Sequence, residues 1–343
     1  MNLGDRKRLI LQAIIEDYIN TAEPVGSRTI SKKYLTNTSP ATIRNEMADL
    51  EEMGYIEQPH TSAGRVPSDK GYRLYVDKIM EQKKLNDAQV EMIKREFVDT
   101  LGEIDRLIKN ASRLLSQMTQ YTSIIMTPQI KQTCIKHIQL IGINNTTILA
   151  VIVTDAGIVK NCVLRVMREA SNDFLDKLTN MLNSKLAGLS FEQINNINFE
   201  DIVRGMNTNG EIIEQLLPEL KQTLLYSDTK EIYHDGAANI LNLPEFCDIQ
   251  KAREFLNALE EEELLFNVLK NTNNDVSVSI GNENMYEQFR NCSLITATYK
   301  INGKTIGSVG VIGPKRMEYS KVISIVDCMT QNLSEMLTKM LKG

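Results

Sequence analysis

The sequence predicts an α+β chain of more than one domain, and three observations carry that reading. In the first 60 residues, apolar side chains recur with helical spacing in three successive segments and then give way to short β-like runs. Runs rich in β-branched residues begin at Ile135 and resume at Val276. Between them lie about 100 residues of largely helical texture, the pattern left when one domain is inserted into another. At roughly 100–200 residues per domain, 343 residues allow two or three domains, each with a real core.

The N-terminal elements follow from local chemistry. Residues 5–20 place Leu11, Ile14, Ile15, Tyr18 and Ile19 on one stripe of an amphipathic helix, and Glu23-Pro24-Val25-Gly26 breaks it. Ser27 is expected to cap a short second helix reaching about Tyr34, with Leu35–Thr38 as a turn. Ser39-Pro40 is the strongest local signal. A capping hydroxyl precedes a proline at the first helical position, where its missing N–H costs nothing. Ile43, Met47 and Leu50 then mark a buried face until Gly54 stops the helix. Tyr55–Pro59 and Arg65–Pro67 read as two short strands about a turn at Ser62-Ala63-Gly64. Three helices and a hairpin in this order predict a winged helix-turn-helix over residues 1–80.

Residues 81–120 are expected to be a helical linker, with Leu101, Ile104, Ile108, Leu115 and Met118 as spaced apolar anchors. Strands are expected at Ile135–Ile143, Thr146–Val153 and Ile158–Val166. Helices should follow at Phe174–Leu186, Glu211–Tyr226 and Ile249–Asn271, interrupted over Glu231–Leu243 by a His234-Asp235-Gly236 turn. Strands return at Val276–Ile280, Leu294–Ile301 and Thr305–Ile312, and a helix from about Glu318 to Leu341 closes the chain. The expected partition is a discontinuous α/β domain at 121–170 and 272–343, with 171–271 inserted in it.

Composition narrows the function classes. The longest strictly apolar run, Ile148–Val153, falls far below the ~18 residues of a membrane span, and Gln12, Glu16 and Asp17 interrupt the N-terminus. Neither a membrane segment nor a signal peptide is expected. Five cysteines, none closer than 28 residues to the next, suit reduced thiols in a cytosol better than a disulfide framework or a zinc knuckle. Only three histidines occur, none at metal-ligand spacing, so no metal or other cofactor is expected.

A net charge of −5 argues at first against a nucleic-acid partner. The charge is unevenly spread, however. Arg28, Lys32, Lys33 and Arg44 give Pro24–Asn45 +4 over 22 residues without one acid, which leaves −9 on the other 321. Phosphate attraction needs such a local basic face, not a basic chain.

On a helix beginning at Ser39, burial of Ile43, Met47 and Leu50 turns Ala41, Thr42, Arg44, Asn45 and Asp49 to varying degrees away from the core. A recognition helix reads base edges from its N-terminal turns. Arg44 suits a guanine, Asn45 an adenine, and Thr42 a thymine methyl or a phosphate. Arg28, Lys32 and Lys33 on the preceding helix would hold phosphates, while His60, Thr61, Ser62 and Arg65 in the wing would reach the backbone or minor groove. The bland alternative is a protein-interaction winged helix with a solvated basic face.

Enzyme readings are weaker. Gly303, Gly307, Gly310 and Gly313 do not form G-x-G-x-x-G and sit in and between β-runs, where turn and strand glycines account for them. Ile312-Gly313-Pro314-Lys315-Arg316-Met317 before the last helix has the makings of an anion cradle, but a loop with solvated basic residues is the better account. The Glu260–Glu263 run has no partner cluster at metal spacing. Cys134 with His137 falls at a strand edge, and no nucleophile with a nearby base emerges.

Longer motifs then become specific. Gly26-Ser-Arg-Thr-Ile, Ser39-Pro-Ala-Thr-Ile-Arg-Asn-Glu-Met, Leu50-Glu-Glu-Met-Gly-Tyr and His60-Thr-Ser-Ala-Gly-Arg-Val-Pro-Ser-Asp-Lys-Gly-Tyr-Arg resemble the bacterial heat-inducible transcription repressors of the HrcA family. So do Asp235-Gly-Ala-Ala-Asn-Ile-Leu, Pro244-Glu-Phe, Ile280-Gly-Asn-Glu-Asn and Gly307-Ser-Val-Gly-Val-Ile-Gly-Pro-Lys-Arg-Met-Glu-Tyr, so the resemblance spans nearly the whole chain. It implies a GAF-like domain carrying an inserted dimerisation domain. It further implies a homodimer that represses chaperone operons at an inverted-repeat operator, the CIRCE element, with the GroE chaperonin as modulator. A ligand-sensing regulator using the GAF-like sheet is the alternative.

Overall fold

The computed structural model describes residues 3–60, 64–98, 104–128, 134–155, 159–167, 169–190, 193–194, 218, 232–270, 275–301 and 304–342. Its N-terminal part is the winged helix that the local signals predict. Helices α1 (Asp5–Thr21), α2 (Ser27–Lys33) and α3 (Pro40–Glu52) precede β1 (Ile56–Glu57) and β2 (Val66–Pro67), which pair antiparallel. Ile10, Ile14, Ile15, Ile30, Ile43 and Leu50 are wholly buried among them. Each contributes roughly 1.5–3 kcal/mol of hydrophobic stabilisation. Ser39 caps α3 as expected, its hydroxyl accepting from Thr42 N at 3.1 Å. Ser27 is not a cap. It is the first residue of α2, buried, and Gly26 holds the cap position.

The wing has a third member. Val25 and Arg65 exchange backbone hydrogen bonds of 2.9 Å in both directions, so the Pro24-Val25 breaker pairs with the start of β2. After the wing, α4 (Asp69–Leu74) is capped by Ser68 and runs into a wide turn at Tyr75–Ile79.

The body is built on a five-stranded antiparallel sheet. Its strands are β3 (Thr122–Met126), β7 (Ile232–Asp235), β8 (Val276–Ile280), β9 (Cys292–Ile301) and β10 (Lys304–Pro314), in the order β7-β3-β10-β9-β8. Alternation of side chains gives it two buried faces. Ile125, Val309 and Val311 point into the larger core with α6 (Ile104–Thr119) and the C-terminal helix, α10 (Tyr319–Lys342). Ile124, Met126 and Ile312 point the other way, against α8 (Ile249–Glu260) and α9 (Glu262–Lys270). Gly307, Gly310 and Gly313 all lie within β10, paired to its neighbours, so they are strand residues.

Several expectations are corrected here. Residues 81–120 do not simply bridge two domains. The second half is α6, whose Leu107, Ile108, Ala111 and Leu115 are wholly buried in the body. Ile104 is buried too, Met118 packs against the same core, and Leu101 lies outside the described residues. Residues 121–170 do not supply one sheet either. β4 (Ile135–Asn144), β5 (Thr147–Thr154) and β6 (Val159–Arg165) pair only with one another among the described residues. Their inner face packs on α7 (Asn172–Leu186) in a separate core of Ile138, Leu140, Ile148, Ile152, Leu178 and Leu182. The 231–243 interruption contains β7, which pairs with β3 and so belongs to the main sheet. The expected helix 249–271 breaks at Glu261, between α8 and α9. The helix expected at Glu211–Tyr226 lies outside the described residues.

Candidate nucleic-acid interface

α3 is positioned by its own apolar stripe. With Ile43, Met47 and Leu50 buried against α1 and α2, Ala41, Arg44 and Asn45 are exposed and Thr42 is half-exposed. Ser39 and Thr42 are joined through their hydroxyls at 2.9 Å, which orders the N-terminal turn. The outward side of that turn is therefore small and polar, with one guanidinium and one carboxamide projecting from it.

The same helix carries acids that would repel phosphate, and α1 neutralises them. Lys7 Nζ lies 2.9 Å from Glu46 and 3.0 Å from Asp49, and Arg6 lies 3.7 Å from Glu46. The hydrogen bond that Lys7 donates to Glu46, then that to Asp49, raises the Lys7 pKa by favouring the charged ammonium. The sequence places Asp49 on the outward side of α3, but it does not announce Arg6, Lys7 or Glu46 as part of this surface. Their sequence separation of about 40 residues gave no local signal.

On α2, Arg28 and Lys32 are exposed. Lys33 is also exposed but pairs at 3.0 Å with Asp17, a carboxylate only 5% exposed that accepts from Tyr34 Oη at 3.1 Å as well. Burial, with Asp17 beside it, pushes the Tyr34 hydroxyl up to about 12. Part of the Lys33 charge thus balances a buried acid.

The wing differs more from expectation. His60, three residues after β1, is exposed, whereas Thr61 and Ser62 lie outside the described residues. Arg65 is drawn back onto α3, its Nη2 2.7 Å and Nε 2.9 Å from Glu51 Oε2, and its side chain is 21% exposed. It braces the wing against the helix, because a forked guanidinium beside a carboxylate makes the strong, charge-assisted geometry. The base of the wing is tied further by Ser68 Oγ donating to Gly54 O at 2.7 Å and Lys70 Nζ donating to Met53 O at 2.7 Å.

The structure thus brings Arg28, Lys32, Ala41, Thr42, Arg44 and Asn45 to the surface on two successive helices, joined by the turn that Ser31 Oγ secures by donating to Thr38 O. Among the described residues no group of three or more His, Cys, Asp or Glu is placed to hold a metal ion, and no helix is long and apolar enough to cross a membrane.

Comparison with known families decides the class. A model described as the winged helix-turn-helix transcription repressor HrcA DNA-binding domain matches residues 2–80, and one described as the HrcA C-terminal domain matches residues 105–323. The chain belongs to the HrcA family. Heat-inducible transcription repressors of that family from Clostridium acetobutylicum and Pelotomaculum thermopropionicum are 47% and 44% identical to it, covering 99% and 100% of this chain and 99% of each relative. A crystal structure of a hypothetical protein matches the fold with a TM-score of 0.72 over 99% of this chain and 100% of its own, at 24% identity. HrcA-family proteins are transcription repressors, a non-enzymatic class, so the phosphate-loop and nucleophile readings give way. The HrcA-family winged helix at the N-terminus is the DNA-binding domain.

Proposed function

We propose that this chain is a heat-inducible repressor that binds an inverted-repeat operator of the CIRCE type as a homodimer in the cytoplasm. The observation that carries the reading is the exposed N-terminal turn of α3, with Arg44 and Asn45 outward above the buried Ile43 and the acids behind them neutralised by Lys7. A two-fold dimer would present two such turns to two half-sites, so operator symmetry mirrors protein symmetry. Arg44, Asn45 and Thr42 then read bases. Arg28 and Lys32 hold phosphates, with Lys33, Ser39, Ala41, His60 and Ser62 at the periphery. Arg65 acts by fixing the wing.

In this reading the five-stranded sheet with α6, α8, α9 and α10 is the GAF-like domain. The inserted dimerising unit starts near Cys134 with the three-stranded sheet. The sheet's outer face supports that role. Ile141, Val159 and Val163 are 46%, 60% and 57% exposed there, with Leu149 and Val151 half-buried between them. An apolar face of this kind fits a second copy of the chain better than solvent. Occupancy of the operator excludes polymerase. On heating, unfolded proteins compete for the GroE chaperonin that keeps the repressor folded, and the operon is released.

A second reading has one observation in its favour. A cavity of about 610 Å³ lies between the 80–86 segment, β8 and α10, lined by Met80, Lys83, Leu85, Val278, Ile323 and Cys328 among others. That is the size of a small-molecule site, and an effector held there would make the chain a ligand-sensing regulator.

The phosphate assignment is tested through salt. Lys32→Ala should weaken binding to every duplex alike and lower the slope of log K against log salt by about 1, without changing sequence preference. An unchanged slope would remove Lys32 from the interface.

A further inference from the structure

Four stretches that lie apart in the sequence meet at the junction between winged helix and body. From the winged helix come Asp69 and Arg73 on α4 and the carbonyl of Ile19 near the end of α1. From the body come Asn282 and Glu283 in the loop after β8, and Lys315 and Arg316 between β10 and α10.

Asp69 accepts from the Asn282 amide and from Asn282 Nδ2, each at 3.0 Å, and pairs with Lys315 at 2.7 Å. Arg73 donates to both carboxylate oxygens of Glu283, at 2.8 Å through Nε, and at 2.6 Å to Val278 O on the edge strand of the sheet. Arg316 donates to Ile19 O at 3.1 Å while Glu245 grips the other side of its guanidinium. Gly281 completes the cradle. Its φ is +55°, and a Cβ there would lie 2.2 Å from Asp69 Oδ2, so the loop can close on the carboxylate only with glycine at that position.

Three separate attachments, to two helices of the winged helix and from two loops of the body, restrict the orientation of one on the other. The 80–86 segment adds no freedom, because Lys83 N donates to Ser320 Oγ, and Ser320 and Ser324 donate to Glu81 O and Lys83 O. These pairs are polar and partly exposed, between 13% and 38% for the charged side chains at Asp69, Arg73, Glu283, Lys315, Arg316 and Glu245. Such contacts contribute modestly to stability but set geometry sharply.

The geometry points to this junction as the determinant of half-site spacing: Asp69, Arg73, Lys315 and Arg316 are positioning residues that set the angle of the reading head and thereby the separation of half-sites that a dimer accepts. The inference rests on the dimeric operator reading above. Each base pair added between half-sites moves them about 3.4 Å apart and turns them by about 35°. A head held at a fixed angle cannot follow such a change, whereas a head on a loosened joint can.

The test uses the full chain, a set of inverted-repeat duplexes whose spacer changes in single base-pair steps, and a duplex holding one half-site. The unaltered chain should lose about tenfold in affinity for a one-base-pair change. Two variants loosen the joint from opposite sides: Asp69→Asn with Arg73→Met, and Lys315→Met with Arg316→Met. Both should flatten the spacer profile to within about threefold while keeping half-site affinity within twofold. A profile as sharp as that of the unaltered chain would overturn the proposal. So would loss of half-site binding in both variants, since the junction would then act on the folding of the head. A flat profile in the unaltered chain would instead bring down the dimer reading and this inference with it.

Discussion

Arg44→Ala is expected to weaken operator binding by about 1–3 kcal/mol and to relax preference at one base pair of each half-site. Arg44 is exposed in the N-terminal half of α3, next to the wholly buried Ile43, and the acids that follow it on the helix, Glu46 and Asp49, are held by Lys7. Its guanidinium is thus available for a two-pronged contact with a guanine edge. Alanine also leaves the helix intact, so the thermal midpoint should move little. Arg44→Lys sharpens the test. It restores the charge and the salt slope but not the fork, so affinity for all duplexes should recover in part while sequence preference stays relaxed. Competition binding with single-base operator variants measures both effects, and retained preference in Arg44→Ala would assign base reading elsewhere.

The largest stability effect is expected from Gly71→Ala. A Cβ at Gly71 would stand 2.1 Å from the carbonyl oxygen of Tyr55 and 3.2 Å from its carbon. Backbone cannot yield as a side-chain tip does, so either α4 or the wing must move. That carbonyl accepts the Ser68 amide at 3.1 Å, and Ser68 Oγ both accepts from Gly71 N and donates to Gly54 O. A displaced α4 therefore strains its own cap and the end of α3 together. Overpacking of this kind costs about 3 kcal/mol, read as a drop in the thermal midpoint. The spacer profile should flatten with it, because α4 also carries Asp69 and Arg73. Lys70→Ala, which removes one exposed bond to Met53 O and a cation–π contact with Tyr55, should cost under about 1 kcal/mol and serves as the neighbouring control.

What could be read from the sequence was local. Ser39-Pro40, Gly54 and the Ile43, Met47, Leu50 stripe locate α3 because capping and periodicity act within a few residues, and the same stripe says which side chains face out. The β-branched runs locate every strand from β4 to β6 and from β8 to β10 for the same reason. The pairing of those strands was not legible, since runs of similar texture do not declare their neighbours. The texture therefore places β4, β5 and β6 with the main sheet, which among the described residues they do not join, and presents β7, only four residues long, as a turn. α6 resembles a linker because its charged face dominates the composition while its buried face emerges only against α10 and strands β3 and β7. The site shows the same limit. Arg44 and Asn45 follow from the helix, but Arg65 was read as a groove contact because nothing near it in sequence announces Glu51, and Lys33 because Asp17 lies a helix away. The junction at Asp69 and Arg73 joins residues more than 200 positions apart, beyond any pattern in one chain.

Repression at an operator requires that this surface recognise a specific symmetric sequence. Fluorescence anisotropy of the full chain on an inverted-repeat duplex and on a scrambled duplex of equal length and composition, at one physiological salt concentration, tests it most directly. Specific recognition predicts binding to the inverted repeat at least about a thousandfold tighter than to the scrambled duplex. Equal affinity for the two would contradict it, leaving only the electrostatic attraction that any basic face has for phosphate.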